Sequence, residues 1–393
     1  MRAASLSRKC HTAFAGQSAR VTELRPQPQS APSPRGWRRL STRARTALVS
    51  LGVVIVLAAV AALLPVPFIV VSPGPTFNTI GEVNDLPLVE ISDTEVFPTD
   101  GHLDMTTVRE SGAPRSPLTI YQALAAWVNS DQAVLPRELL YPDDVTGDEV
   151  RQRNAVLFST SQSYAIAAAM QALDRPVIAD PVITSVVVGA PADGLLRAGE
   201  QLLTVDGQPV TTPAQVGDAV RAKPIGASLT FTVLRDGEEV DVEVVSAPNP
   251  DDPQLPYVGI TIGLLYSAEF PIEFTLTDVG GPSAGMMFAL AIVDKLTPQS
   301  LTGGGFVAGT GTIDPNGVVG PIGGIRQKLA GARGAGATLF LMPREHCDEA
   351  QGHIPEGLTV VPVSSLDEAL VALERWQAGE GLVSCPAGKP RLS

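Results

Sequence analysis

A serine and a lysine placed 45 residues apart could together supply a hydrolytic chemistry. Ser283 lies in the turn Gly280-Gly281-Pro282-Ser283-Ala284-Gly285, which runs straight into the apolar stretch MMFALAIVDKL. Glycine permits backbone angles that a side chain forbids, and proline presets the turn. The helix start that follows gathers unpaired N–H groups and the positive end of the dipole. Such groups can stabilise a developing oxyanion, and the Ala284 N–H is a candidate donor. On its own, the serine would read as an N-cap on a core helix. A second element changes that reading. Lys328 sits in IRQKLAGARGAGA, a stretch rich in Gly and Ala that should pack closely. A serine hydroxyl is a poor nucleophile until a neighbour takes its proton. A lysine can do so only when neutral. Its ordinary pKa is about 10.4, so half-neutrality near pH 7 requires a drop of roughly 3 units, or about 4 kcal/mol. Desolvation or a neighbouring cation produces such a drop, and Arg326 and Arg333 lie close by in sequence.

The stretch TGTIDPNGVVGPIGGIRQKL, from Thr310 through Lys328 to Leu329, combines a hairpin around Asp314-Pro315-Asn316-Gly317, a glycine turn and a helix. Together with GPSAG it resembles the proteolytic domain of the Lon family of Ser–Lys proteases. The resemblance implies Ser283 as nucleophile, Lys328 as general base and Thr310 as a residue beside the dyad. It also departs from the family at one point. Many Lon proteases carry an acidic residue three positions before the serine, where this chain has Gly280, with Asp278 two further back.

Composition narrows the function classes. The 393 residues are 44% hydrophobic and 18% charged, with a formal charge of −13. That balance argues against nucleic acid as a partner, because phosphate binding needs a basic surface. No GxxxxGK[ST] phosphate loop occurs, and Gly303-Gly304-Gly305 reads as a loop. Unlike typical Lon proteases, the chain shows no ATPase motif of its own, so an ATP-independent enzyme without a cofactor is expected. Cys10, Cys347 and Cys385 form no CxxC and suggest neither a metal site nor a disulfide framework. His346, Cys347, Asp348, Glu349 and His353 match no familiar zinc spacing.

The elements that must position the dyad follow from the chain in order. Residues 1–45 lack apolar periodicity and read as a disordered cytoplasmic tail. Arg35, Arg38, Arg39, Arg43 and Arg45 end it, and Ala47–Leu64 is an uncharged run of 18 residues. As a helix that run is about 27 Å long, enough to span a bilayer core. A transmembrane helix over 46–66 is expected, with the arginine side cytoplasmic and everything after it outside. A cleavable signal peptide ending near Ala59-Val60-Ala61 is the rival, but its n-region would be unusually long. Residues 72–89 read as a Pro/Gly-rich exit from the membrane. Two strand-like runs follow, Val89–Ile91 and Leu103–Val108, joined by a turn near Asp100-Gly101. Helices are expected at about 117–129 and 148–173.

Residues 175–248 alternate short strands with Asp-Gly turns. Gly189-Ala190-Pro191-Ala192, Leu196-Arg197-Ala198-Gly199-Glu200 and Val205-Asp206-Gly207 resemble a bacterial PDZ domain, a module that binds chain ends by adding a strand to a sheet edge. No glycine-rich carboxylate-binding loop is evident near 174–183. Residues 249–377 hold the dyad motifs and look short for a Lon-type domain. Residues 67–174 are therefore expected to supply its N-terminal half, with the PDZ module inserted between, and 378–393 to form a loose tail.

The reading is an α+β chain made of a transmembrane helix, a PDZ-like β-rich module and a Lon-type α+β domain split by it. As a whole it resembles the YlbL-like family of membrane-anchored Lon-related proteases. That implies a serine endopeptidase acting outside the cytoplasm on unfolded or extended protein segments, anchored in the lipid bilayer. Self-association is expected, because such domains often assemble into rings. A catalytically silent PDZ/Lon-like anchor that binds peptides or partner proteins is the alternative.

Overall fold

The computed structural model describes residues 41–112, 117–141, 146–276 and 279–385. Residues 1–40 of the expected tail, and Asp278, lie outside the described residues. Helix α1 (Thr42–Leu63) has a mean hydropathy of 2.2 over Thr42–Ala62, so among the described residues one helix is long and apolar enough to cross a membrane.

The next segment holds β1 (Pro65–Val66), β2 (Phe68–Asn78), β3 (Val89–Ile91), β4 (His102–Ser111), β5 (Leu118–Thr119), α2 (Ile120–Val128), β6 (Ala133–Pro136) and α3 (Gly147–Ala172). A middle group comprises β7 (Ile178–Val186), β8 (Gln201–Val205), α4 (Pro213–Arg221), β9 (Ser228–Arg235), β10 (Glu238–Val245) and β11 (Ile260–Ser267). The last group is β12 (Ile272–Phe274), α5 (Gly285–Leu296), β13 (Phe306–Gly309), α6 (Ile325–Ala335), β14 (Leu339–Pro343), β15 (Thr359–Val363) and α7 (Leu366–Gln377).

One six-stranded sheet has the order β15-β14-β13-β4-β2-β6, so its strands come from both sides of the middle group. From β15 to β4 it is parallel, and β2 and β6 run antiparallel at the end. The middle group forms a separate antiparallel sheet of order β10-β9-β8-β7-β11. There β9 alternates, burying Leu229, Phe231 and Val233 on one face in the period of two that a half-buried strand requires.

One sequence expectation fails here. Most of the supposed membrane exit, residues 72–89, is not a linker, because it contains the larger part of β2. The run Ile69-Val70-Val71 is buried, and the register with β4 shifts between Pro73 and Thr76. A bulge at that point accommodates prolines that cannot donate to a ladder. Both strand-like runs are strands; Val89–Ile91 pairs with β12, since both edges of β4 are taken, by β2 and β13.

Helix α5 is apolar from Gly285 to Val293 and buried along its length apart from Lys295, as so apolar a sequence must be. Phe288 on α5 meets Phe158 of α3 and Phe274 of β12 edge-on, with ring centroids 5.7 and 4.9 Å apart. Near its end, Asp294 is 1% exposed. One carboxylate oxygen accepts from Leu301 N–H, and the other has no partner among the described residues. Burial, with Asp100 adding a like charge, raises its pKa to about 6. The folded protein therefore keeps a proton that the unfolded chain releases, and stability falls as pH rises from about 4 to about 6. Asp294→Asn should flatten that part of the stability curve. Parallel curves for the two proteins would show that Asp294 is not the group responsible.

The cysteines correct the sequence reading. Cys347 and Cys385 form a disulfide, which pins the first part of the supposedly loose 378–393 tail. A separation of 38 residues, without a motif, gave the sequence no means of announcing it.

Candidate active site

Two glycine-dependent turns bring the dyad together. The helix after Ser283 begins at Gly285 with Ala284 at the N-cap, and no side chain caps it. The serine hydroxyl is thus not spent as a cap. Helix α6 starts from Gly324 at φ +72°, where a Cβ would lie 2.8 Å from Val108 of β4. This close seating turns Ile325, Gln327, Lys328, Leu329 and Ala332 inward. His346 holds the preceding turn, since its Nε2 accepts from Ile322 N–H at 2.9 Å; Nδ1, toward Glu349, therefore carries the hydrogen.

Lys328 is 2% exposed. Its Nζ donates to Ser283 Oγ at 2.7 Å and to Thr310 Oγ1 at 2.8 Å. Desolvation lowers its pKa to about 7. Among the described residues no carboxylate pairs with it, and the neighbouring arginines are not needed to explain the shift. Thr310 has a defined part in this geometry. Its hydroxyl donates to Ser283 O at 3.0 Å, so only its lone pairs face Nζ. A neutral amine that donates an N–H to Thr310 can turn its own lone pair toward the serine hydroxyl, the arrangement a general base needs. Thr310→Val should leave the fold intact, because Ser283 O still accepts from Gly311 N–H. It should lower kcat on the order of ten- to a hundredfold through misorientation. Unchanged turnover would remove Thr310 from the machinery.

The Ala284 N–H, the oxyanion candidate, finds no acceptor among the described residues. Ser283 and Lys328 open into a cleft of about 780 Å³, whose other walls include Phe77, Thr106, Leu135 and Leu140.

Sequence reasoning missed what holds the nucleophile turn from behind. On α3, Asn154 O accepts from Gly281 N–H at 2.9 Å, and Ser161 Oγ donates to Pro282 O at 3.0 Å. Ser163, on another face of α3, accepts from Tyr266 N–H of β11 at 2.6 Å. The only signal was a run of serines inside a helix otherwise rich in alanine. The departure at Gly280 has the same cause. A Cβ there would stand 2.9 Å from Asn154 Cβ, so no acidic side chain fits against α3 without displacing it.

The middle sheet carries a second groove. β7, which overlaps residues 174–183, lies inside the sheet between β8 and β11. The edge is β11, which pairs with β7 alone among the described residues. Between β11 and α4 runs a groove of about 340 Å³, lined by Val216, Val220, Tyr257, Gly259 and Ile260 among others. Gly259 has φ +82°, and a Cβ there would be 2.1 Å from that of Ala190. A glycine-bearing turn therefore borders this groove, about 80 residues downstream of 174–183.

Residues 276–374 match the Lon protease (S16) C-terminal proteolytic domain, and residues 156–245 match a PDZ domain. The chain is 40% identical over 93 residues to Lon protease 2 of Herpetosiphon aurantiacus, covering 23% of this chain and 11% of that one. It is 29% identical over 160 residues to the Lon protease of Campylobacter concisus, covering 40% and 20%. The crystal structure of the PDZ domain of an SdrC-like protein from Listeria monocytogenes matches 21% of this chain and 86% of its own, at 19% identity and a TM-score of 0.20. The chain thus spans a fifth or less of the length of those two Lon relatives. It has an α+β fold with a PDZ domain in the middle and a Lon-type proteolytic domain toward its C-terminal end.

Proposed function

We propose that this protein is a membrane-anchored, ATP-independent serine endopeptidase working through a Ser283–Lys328 dyad. The observation that carries the proposal is a desolvated amine, unpaired with any described carboxylate, 2.7 Å from a hydroxyl that caps nothing. Ser283 Oγ attacks the peptide carbonyl while Lys328 takes its proton. The carbonyl oxygen becomes an oxyanion facing the Ala284 N–H. Lys328 then gives the proton to the leaving amine, and water hydrolyses the acyl-enzyme through a second oxyanion.

In this reading residues 67–174 and 249–377 are two halves of one catalytic domain, with the PDZ module between them. The sheet that draws β2, β4 and β6 from the first half and β13 to β15 from the second supports it. Helix α1 is the anchor. The arginines before it favour a cytoplasmic N-terminus, and the Cys347–Cys385 disulfide suits an oxidising space on the far side. Substrates are unfolded or extended protein segments, which the groove beside β11 can take up as an added strand.

The full chain in lipid nanodiscs, incubated with a reduced, unfolded protein, should generate new N-termini. The Ser283→Ala chain should generate none. Equal cleavage by both would assign the activity elsewhere, and no cleavage by a folded wild-type chain would leave the proposal without support.

A further inference from the structure

Helix α2 is packed the wrong way round for a soluble protein. Its sequence IYQALAAWV contains no charge, and the residues it buries are its small ones, Ala123 and Ala126. Ala126 packs with Val70 of β2 and Leu118 of β5. The bulky residues Ile120, Tyr121, Leu124, Trp127 and Val128 all point outward, with Trp127 77% and Val128 83% exposed. Positions i, i+1, i+4, i+7 and i+8 fall on one face of a helix about 120° wide at 3.6 residues per turn. A contiguous apolar face of this kind marks an interaction surface.

Its place in the chain says which surface. The apolar span ends at Leu63, and β1 begins at Pro65. Pro65 pairs with Thr119 and Val66 with Leu118, the two residues directly before α2. Pro67 O accepts from Arg137 N–H at 3.0 Å, and Leu139, 67% exposed, follows two residues later. Two separate apolar segments are thus tied to the first residues after the span.

We propose that the outer face of α2, with Leu139 beside it, lies in the interfacial layer of the bilayer that α1 crosses. The inference rests on the anchor reading above. An uncharged helix with an aromatic and aliphatic face suits the headgroup–acyl boundary, where Trp and Tyr are enriched. One consequence concerns the substrate. Leu135 and Leu140, which line the Ser283 cleft, belong to the segment that carries Leu139. The cleft mouth then opens close to the lipid, and the favoured substrates are extended segments lying near the membrane surface.

The test uses the full chain in phosphatidylcholine vesicles with and without acyl chains brominated near the headgroup. Wild type is compared with Trp127→Phe, so that the difference in fluorescence isolates Trp127. An indole seated about 5–10 Å into the interface should lose roughly half its emission to bromine. Flotation of the chain with the vesicles, but no difference attributable to Trp127, would overturn the interfacial helix and leave the anchor standing. Failure to float would sink both. A shielded Trp127 in a dimeric chain that Trp127→Gln dissociates would overturn the proposal in favour of a second copy on this face.

Discussion

Lys328→Met should abolish cleavage and, at the same time, make the protein more stable. Loss of a general base costs typically 10²- to 10⁴-fold in rate, and methionine has no proton-accepting group. The stability gain follows from the same burial that makes the lysine useful. Its pKa falls from 10.5 in the unfolded chain to about 7 in the fold, a cost on the order of 5 kcal/mol at neutral pH. As pH falls from about 10.5 to 7, the unfolded chain takes up a proton that the folded protein refuses, so the penalty grows; below 7 it is constant. Methionine escapes it but leaves Ser283 and Thr310 without the amine, so a net gain of roughly 1–4 kcal/mol is expected. Urea midpoints of the two proteins at pH 7 and pH 10 would check this. Lys328→Arg should be equally inactive but less stable, because a guanidinium stays charged wherever it is placed. A Lys328→Met protein less stable than wild type at pH 7 would contradict the account of a desolvated, largely neutral amine.

Acidification should switch the enzyme off steeply. With the base at a pKa of about 7, its neutral fraction falls tenfold for each pH unit below that value. kcat/KM should therefore rise about fiftyfold between pH 5 and pH 7, and about twofold more before it levels off above pH 8. The chain's charge of −13 would by itself favour the protonated amine, but exposed charges are screened beyond about 10 Å, whereas desolvation acts at the site. A profile rising toward pH 10 would mean a hydrated lysine.

The pairing of Ser283 with Lys328 was legible because each side chain sits in a local motif. A Gly/Pro turn before an apolar helix and a lysine in a Gly/Ala helix each restrict their own backbone, and Thr310 came with the second motif. The apolar span and the alternating strands of the PDZ region were readable for the same reason, since each is a periodicity in a short window. What was not legible depends on distant partners. Nothing in Phe68–Asn78, with its two prolines, announces the strand that lies between β4 and β6 and on which α6 rests, where a Cβ on Gly331 would stand 3.4 Å from Gly74 O. The glycine turn at Gly259 was missed because the strand that follows it joins the PDZ sheet after the hairpin of β9 and β10, at a point where the chain already reads as the catalytic part. Ser161 and Asn154 support the nucleophile turn from more than a hundred residues away, and no window contains both ends of that contact. Gly280 read as a departure from the family until its close approach to Asn154 gave the reason.

The most direct test is covalent. The full chain at pH 8 would be treated with an irreversible peptidyl phosphonate, and the modified residue mapped by mass spectrometry beside Ser283→Ala and Lys328→Met. One adduct per wild-type chain is expected, on Ser283, and none on either variant. An adduct on another serine, labelling undiminished in Lys328→Met, or no adduct on a folded wild-type chain would contradict it.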